Sequence, residues 1–590
     1  MKPMWSVMER FTMNENRINH DSPSINVSLA VSASMLDALD AAGPLREAVR
    51  AGIAQSLGEL LLTMGIPGDP EVEITWLEER PNAGLLRLSV DGRLRRYAED
   101  LPQSVYYYVN GLPTGPSISQ DSLLSWLTAL SIQQSETAKT DLVEFFSLTC
   151  LEILKSKPSV LLSAVGVEAY RAELVEAAKD AKLPDAEWLR PVLAQTLDMK
   201  ISIADRRTAA AALAESLAGG RPGADAAEDL IAALRPDAVE IQTPPDYFRQ
   251  ITTAMESERD LFVMMRDGLF YETGLRCPDF RFVPTPNLRP NSFAFKINHL
   301  TTLPFVGLKP DQALVNNRPE ILKWLDIHGD AVINPANAER FIVIDASSRS
   351  SVEMFGLTTW SPAGYLALCF SAELRENGAC FVHRKAVEHT LGLLDEAFPA
   401  LVDVAQTMFS AEQVTRVLRI LASEGISIRN LLSILESLVN FDFIVTDPAS
   451  HIVFDERFPV IEPPDDAGVN DPVRLASQAR CGLKRYISHK YTGGQSALHA
   501  YLLDREIESM LLKPAAEREE ETERFLAALR SERGRTPSGV PPPVILTSIE
   551  TRPAAREIIA WEHPRLPVIA YQELTLELNI VPIAKIRLDA

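Results

Sequence analysis

The sequence predicts a multidomain α+β protein built from tandem copies of one unit. Three observations carry this reading. First, segments that alternate apolar and polar residues (Val72, Ile74, Trp76; Leu86, Leu88, Val90) follow a segment with apolar residues at helical spacing (Leu45, Val49, Ile53, Leu57, Leu60). Those two periods mark half-buried strands and an amphipathic helix. Second, motifs recur at a fixed offset: Ile201-Ser202-Ile203 returns 225 positions later as Ile426-Ser427-Ile428, and Arg80-Pro81-Asn82 returns 209 positions later as Arg289-Pro290-Asn291. Third, the C-terminal stretch reads strand, helix, strand, the pattern of a βαβ unit.

The expected layout follows. Residues 1–24 form a flexible lead-in, 25–140 a ferredoxin-like α+β unit, and 141–240 a helical subdomain, together the degenerate first copy. The second copy holds an α+β unit over 243–310 plus 373–385, an inserted β-rich subdomain over 311–372, a helical subdomain over 386–473 and a C-terminal αβ subdomain over 474–590.

Composition bounds the function. A chain of 590 residues with 46% hydrophobic residues has ample core for several domains. Eighty acidic against 58 basic residues leave a net charge of −22, which disfavours nucleic-acid backbones as the main partner. Five scattered cysteines, an odd number, suggest reduced thiols rather than a disulfide frame. No apolar run approaches the ~18 residues that a membrane helix needs, and the polar start of the chain lacks the apolar core of a secretory signal.

Taken in order, residues 27–66 carry helical spacing, which Gly65 and the following Ile-Pro-Gly-Asp-Pro end. Two strands flank the Arg-Pro-Asn turn, and the aromatic run Tyr106–Val109 predicts a further strand. Residues 142–217 read as helical, and the Ala-Gly-Gly-Arg-Pro-Gly-Ala-Asp-Ala-Ala stretch that follows (218–227) reads as a flexible joint into the second copy. There the pattern predicts one helix over Met255–Tyr271 and strands around Phe280–Val283 and Phe293–Ile297. Gly65 falls on Gly274 and Leu88 on Ile297 at the shift of 209, so the strand alternation is kept. In the insert, Phe341–Ala346 and Tyr365–Phe370 read as strands, and 386–460 as helices. Lys513–Arg535 is a charged helix; Val544–Leu546 and Leu566–Ala570 are buried strands around a helix that carries Ile558, Ile559 and Trp561, with Thr547 and Ser548 as its cap. Asn579–Leu588 is the last strand.

No catalytic signature emerges. The chain has no phosphate-binding glycine motif, no nucleophile elbow and no His-Glu-x-x-His. Cys369, Cys380, His383 and His389 are spaced unlike any common zinc pattern, so the cysteines read as core residues and the histidines as surface groups. No metal and no cofactor is expected, and a binding role is favoured over an enzymatic one.

Three segments resemble one family. Leu566–Leu574 followed by Asn579–Ile586 is similar to the C-terminal end of the FHIPEP proteins, the large export-gate subunits of flagellar and virulence type III secretion systems. Glu424–Leu438 resembles that family's helical subdomain and Arg485–Leu512 the start of its last subdomain, in the family's order, so the resemblance covers roughly 243–590. It implies the family's cytosolic part only, with a cytoplasmic location at the inner-membrane face of a secretion apparatus. It also implies a docking platform for export chaperones and secreted substrates, contacts with other export-apparatus proteins including a separate membrane-embedded gate subunit, and a homo-oligomeric ring. The family's cleft motif, Asp-Pro-Ala-Phe-Gly-Leu, falls on Val352-Glu353-Met354-Phe355-Gly356-Leu357, and its threonine falls on Thr390. The resemblance therefore implies a cleft of Phe355, Leu357 and Thr390, with Val352 where the family carries the acid. An exposed phenylalanine beside polar groups suits a partner segment. The rival expectation is a soluble scaffold or regulator that kept the fold without a direct export role.

Overall fold

The computed structural model describes residues 24–588 except 32–44, 77–85, 91–93, 98–102, 114, 116–119, 134, 179–182, 221–222, 237, 258–259, 317–321, 323–327, 335–339, 447–470 and 536–541. The lead-in, the first Arg-Pro-Asn turn and most of the proline-rich loop before residue 472 lie outside the described residues.

The first sheet contains β1 (Ser24–Val31), β2 (Asp69–Trp76), β3 (Leu86–Val90) and β4 (Leu94–Tyr97) in the order β2-β1-β3-β4. Helix α1 (Leu45–Met64) joins β1 to β2, which pair in parallel, and buries Leu45, Val49, Ile53, Leu57 and Leu60. The helical reading of 27–66 is corrected at its start: Ser24–Val31 is a strand, and Ile25, Val27 and Leu29 alternate into the core. The strand reading of Tyr106–Val109 is also corrected, because these residues belong to α2 (Gln103–Val109). Tyr106 there meets Trp126 edge-on at 4.9 Å, so tertiary packing overrides the β preference of the aromatics.

Helices α3 (Gln120–Ile132), α4 (Glu136–Ser156), α5 (Ala164–Ala178), α6 (Ala186–Asp198), α7 (Arg206–Ala218) and α8 (Gly223–Leu234) follow. The second half of the expected joint, Gly223–Ala227, instead begins α8, which packs on α6 and α7 and buries Ala226, Ala227, Leu230 and Ile231. Its glycines and alanines read as a linker, yet small residues also let helices approach closely.

The second half repeats the order of pairing. It contains β5 (Val239–Thr243), α9 (Pro245–Ser257), α10 (Leu261–Thr273), β6 (Phe280–Pro284), β7 (Ser292–Ile297), β8 (Leu300–Thr301) and β9 (Phe305–Val306). The sheet order is β6-β5-β7-β8, with β9 on β7. The single helix expected over Met255–Tyr271 is two helices, and Asp260 starts the second. In both sheets the two parallel strands are direct neighbours. A ferredoxin-like sheet places a strand between them, so the α+β class stands while these sheets have a different strand order. Alternation predicts strands; the path of the crossover sets their order.

The insert holds β10 (Gln312–Val315), β11 (Asp330–Ile333), β12 (Arg340–Asp345), α11 (Arg349–Met354) and β13 (Thr359–Trp360), with sheet order β11-β12-β10-β13. Tyr365–Phe370, expected as a strand, lies in α12 (Pro362–Glu376). Ser361 caps this helix by accepting from the Gly364 amide, and Pro362 takes its first position. The helix is buried on most sides (Tyr365, Leu366, Ala367, Cys369, Phe370), so its apolar run carries no helical period.

Helices α13 (Arg384–Ala397), α14 (Pro399–Met408), α15 (Ala411–Ser423), α16 (Leu431–Thr446), α17 (Pro472–Gly482) and α18 (Lys484–Thr492) follow. The C-terminal region is a parallel sheet, β16-β15-β14-β17, of β14 (Ala497–Leu503), β15 (Val544–Thr547), β16 (Val568–Ala570) and β17 (Asn579–Ile586). It carries α19 (Arg505–Leu511), α20 (Glu519–Arg535) and α21 (Arg552–Glu562). The expected strand–helix–strand is β15–α21–β16; α21 begins after Thr551, so Thr547 and Ser548 precede its cap rather than form it.

Equivalent positions of the two halves make equivalent bonds. Gly65 and Gly274 both have positive φ (71° and 77°) and both lie against a neighbouring backbone, at Ala204 and Arg429. The Ile203 amide donates to the Met64 carbonyl at 2.9 Å, and the Ile428 amide to the Thr273 carbonyl at 2.8 Å.

Candidate functional site

The insert tip is built outward from β12. Asp345 ends that strand and accepts from the Ser347 amide at 2.8 Å, which turns the chain into α11. Val352, the residue of α11 that faces inward, is fully buried in a small core with Ala313, Val315, Leu322, Ile342 and Ile344. The expectation that Val352 lines a partner cleft is therefore corrected: the position is a core position, and an apolar residue there holds α11 on the sheet.

Gly356 ends α11. Its φ of 76° is the left-handed conformation that favours glycine, and its amide donates to the Glu353 carbonyl at 2.9 Å. This turn leaves Phe355 61% and Met354 79% exposed, while Leu357 stays half-buried against the insert core. Beside them, Glu353 pairs with Arg349 at 2.8 Å and accepts from the Thr359 hydroxyl. The Thr359 hydroxyl, then Arg349, hold the Glu353 carboxyl below the usual carboxylate range. The tip is thus an apolar pair rimmed by one fixed charge pair.

Thr390 belongs to a different helix. It lies on α13, half-buried, and its hydroxyl donates back to the Ala386 carbonyl at 2.8 Å. Helix α13 packs on α14 and α15, whereas α11 packs on β13 and the turn before it. Phe355 and Leu357 therefore flank the Gly356 turn at the end of α11, and Thr390 stands on α13. Sequence reasoning missed Met354 and Glu353; the signal available was the Phe-Gly pair, since a glycine stop turns the last helical side chains outward.

Cys369 and Cys380 are buried in the main core, where burial pushes both thiols up. His383 caps α13 by accepting from the Ala386 amide at 3.2 Å. Among the described residues no group of three or more His, Cys, Asp or Glu side chains is arranged to hold a metal ion. No described helix is long and apolar enough to cross a membrane.

These features define a multidomain α+β protein whose small β insert presents an exposed apolar tip. Residues 191–579 match the FHIPEP family. The chain belongs to that family, whose members are export-gate proteins of type III secretion. Low calcium response locus protein D of Yersinia pestis is 29% identical over 249 residues, 40% of this chain and 31% of that protein. Flagellar biosynthesis protein FlhA of Treponema pallidum is 24% identical over 343 residues, 55% of this chain and 44% of that protein. The chain thus spans less than half the length of these curated relatives. Among solved structures, the CdsV protein of Chlamydia pneumoniae is 25% identical, covers 59% of this chain and 98% of its own, and has a TM-score of 0.47.

Proposed function

We propose that this protein is a non-enzymatic docking platform of a type III secretion apparatus. It receives export chaperones and their secreted substrates at the tip of the β insert, in contact with other export-apparatus proteins. The observation that carries the reading is Phe355, exposed together with Met354 by the Gly356 turn in a chain of the export-gate family. Exposed aromatic and Met side chains supply large, adaptable contact area. Leu357 anchors the tip and Thr390 offers a second contact on α13.

The same reading takes the chain as a tandem duplication. Its support is the repeated strand order, the matched glycines and the equal lengths of α6 and α15, each 13 residues and 225 positions apart. Duplication gives a platform with two similar floors, one of which carries the insert, and a homo-oligomeric ring is the assembly that would multiply such sites.

The test is a pull-down from the source cells with the full chain, beside Phe355→Ala and Met354→Ala. Retention of chaperones or secreted subunits that is lost in both variants supports docking at the tip. Retention that both variants leave unchanged removes the tip from the mechanism. Capture of non-export proteins alone favours a scaffold without an export role, a reading that the buried valine at the family's acidic position also suits.

A further inference from the structure

Two loops of the chain hold their neighbours in the same way. One links α6 to α7 (199–205) and the other links α15 to α16 (424–430). Each leaves its helix through a left-handed residue, Lys200 at φ 59° and Gly425 at φ 67°. The Lys200 amide donates to the Leu197 carbonyl at 2.8 Å, and the Gly425 amide to Ala422 at 3.0 Å. The Ala204 and Arg429 amides donate to the hydroxyls of Ser202 and Ser427 at 3.2 and 3.4 Å. This leaves the same two backbone groups pointing outward from each loop: the carbonyl of residue 200 or 425 and the amide of residue 202 or 427.

Different elements satisfy them. In the first loop the Lys200 carbonyl accepts from the His299 amide at 3.0 Å, and the Ser202 amide donates to His299 Nδ1 at 3.0 Å. Asn298 Nδ2 adds a bond to the Met199 carbonyl at 2.6 Å. In the second loop the Gly425 carbonyl accepts from Lys490 Nζ, and the Ser427 amide donates to Tyr486 Oη at 3.2 Å. The first occupant is the β7–β8 turn; the second is one face of α18, which leads into the C-terminal sheet.

We propose that this loop is a reusable docking seat, and that the seat in the first half is built to receive the second α+β unit of this same chain. The C-terminal region holds the equivalent seat in the second half. The equivalence rests on the duplication proposed above; the seat and its occupant rest on the bonds just given. The surroundings of the first seat fit this occupant. Leu300 and Leu303 enter the core of the first half, and Lys155 Nζ donates to the Thr301 carbonyl at 2.8 Å. Three acids of α8 meet three arginines of the second half: Asp225 with Arg416 at 2.8 Å, Asp229 with Arg384 at 3.4 Å, and buried Glu228 with Arg419 in a bidentate pair at 2.5 and 2.9 Å. Bidentate arginine pairs fix orientation as well as supplying energy. The two halves are then one block rather than two beads on a string, and the first half holds in place the unit that carries the insert.

The experiment uses the full chain with a protease site placed between Leu234 and Val239, cut after folding, and gel filtration across a dilution series. The expected result is co-elution of the two pieces at about 1 μM, a dissociation constant ordinary for specific interfaces. His299→Ala with Asn298→Ala should weaken the pairing about tenfold or more, the loss of one to two net hydrogen bonds. Asp225→Arg should weaken it independently, with recovery on adding Arg416→Asp, which covers the case in which the seat variant fails to fold. Wild-type pieces that separate at that concentration, or seat and charge variants that pair as the wild type does, overturn the proposal. Tyr486→Phe should speed hydrogen exchange at Ser427 and leave the pairing of the halves unchanged. Loosened halves in that variant would end the equivalence of the two seats, and with it this support for duplication, while the seat itself stands.

Discussion

Arg480, Arg552, Glu424 and Glu573 form a charge cluster with almost no access to water. Arg480 makes two bonds to Glu573, at 2.8 and 2.6 Å, and one to Glu424 at 2.6 Å; Arg552 bonds Glu424 at 2.8 Å. Two positive and two negative groups neutralise one another, so removing one strands its partners in a medium that solvates them poorly. Arg480→Met is expected to cost about 3–5 kcal/mol, measured by urea unfolding. The exposed Lys513–Glu521 pair is the contrast: Lys513→Ala should cost under about 1 kcal/mol. Single residues also set the response to pH. Burial, then Arg235 and Arg419, push His383 down to about 4. Its folded form thus binds a proton less readily than its unfolded form. The stability it contributes is complete above pH 6.5 and is lost as pH falls toward 4. His383→Asn keeps a capping oxygen for α13 and removes the titration. The wild type should therefore lose more stability than this variant between pH 7 and 4.5, read as the shift in urea midpoint.

The helix ends show how elements are fixed. Gly65 and Gly274 close α1 and α10 in left-handed geometry, with neighbouring backbone where a Cβ would stand. Alanine at either position meets both obstacles, so each substitution should cost more than about 1 kcal/mol in thermal or urea unfolding. Gly392, within α13 and with open space around it, should instead gain up to about 1 kcal/mol on becoming alanine. The insert makes the same distinction on one short helix. Phe355→Ala removes an exposed side chain and should change stability by no more than about 0.5 kcal/mol; the docking proposed above requires that it also lose partner retention. Val352→Asp places a carboxylate in the insert core and should unfold the insert, seen as fast hydrogen exchange over β10 and β12. Strands and helices with a clear period are legible in the residue pattern alone, as α1, β6, β7 and α15 show. Two of the failures, at α12 and α2, have one physical origin. Where an element is buried on most sides, as α12 is, or where aromatics pack on another helix, as in α2, the period disappears and contact decides the conformation.

On the scale of the whole molecule, charge joins regions that lie far apart in the chain. Glu373 on α12 accepts from Asn377 Nδ2 at 3.1 Å and senses Glu376 on the same helix, Glu152 and Lys200 of the first half, and Arg565 of the C-terminal region. Burial, then the neighbouring glutamates, raise its carboxyl to about 8. The sign is opposite to that of His383: the stability it contributes is complete below pH 4.5 and is lost as pH rises through about 8. Glu373→Gln is expected to be less sensitive than the wild type between pH 6 and 9, checked by the same urea midpoints.

The sequence by itself determined the family, the α+β class, the repeated motifs and the candidate Phe355, because alternation, glycine stops and motif order are local properties written in residue types. Only the tertiary structure decided that Val352 is core, that the Thr390 hydroxyl is bonded to its own helix, that Met354 joins Phe355 in solvent, and that the parallel strands are neighbours. It also revealed the seat that binds the two halves, because His299 and Ser202 meet through a backbone amide whose direction no residue pattern encodes. Burial and pairing are set by which surfaces meet after the chain has folded, and distance along the sequence carries almost none of that information.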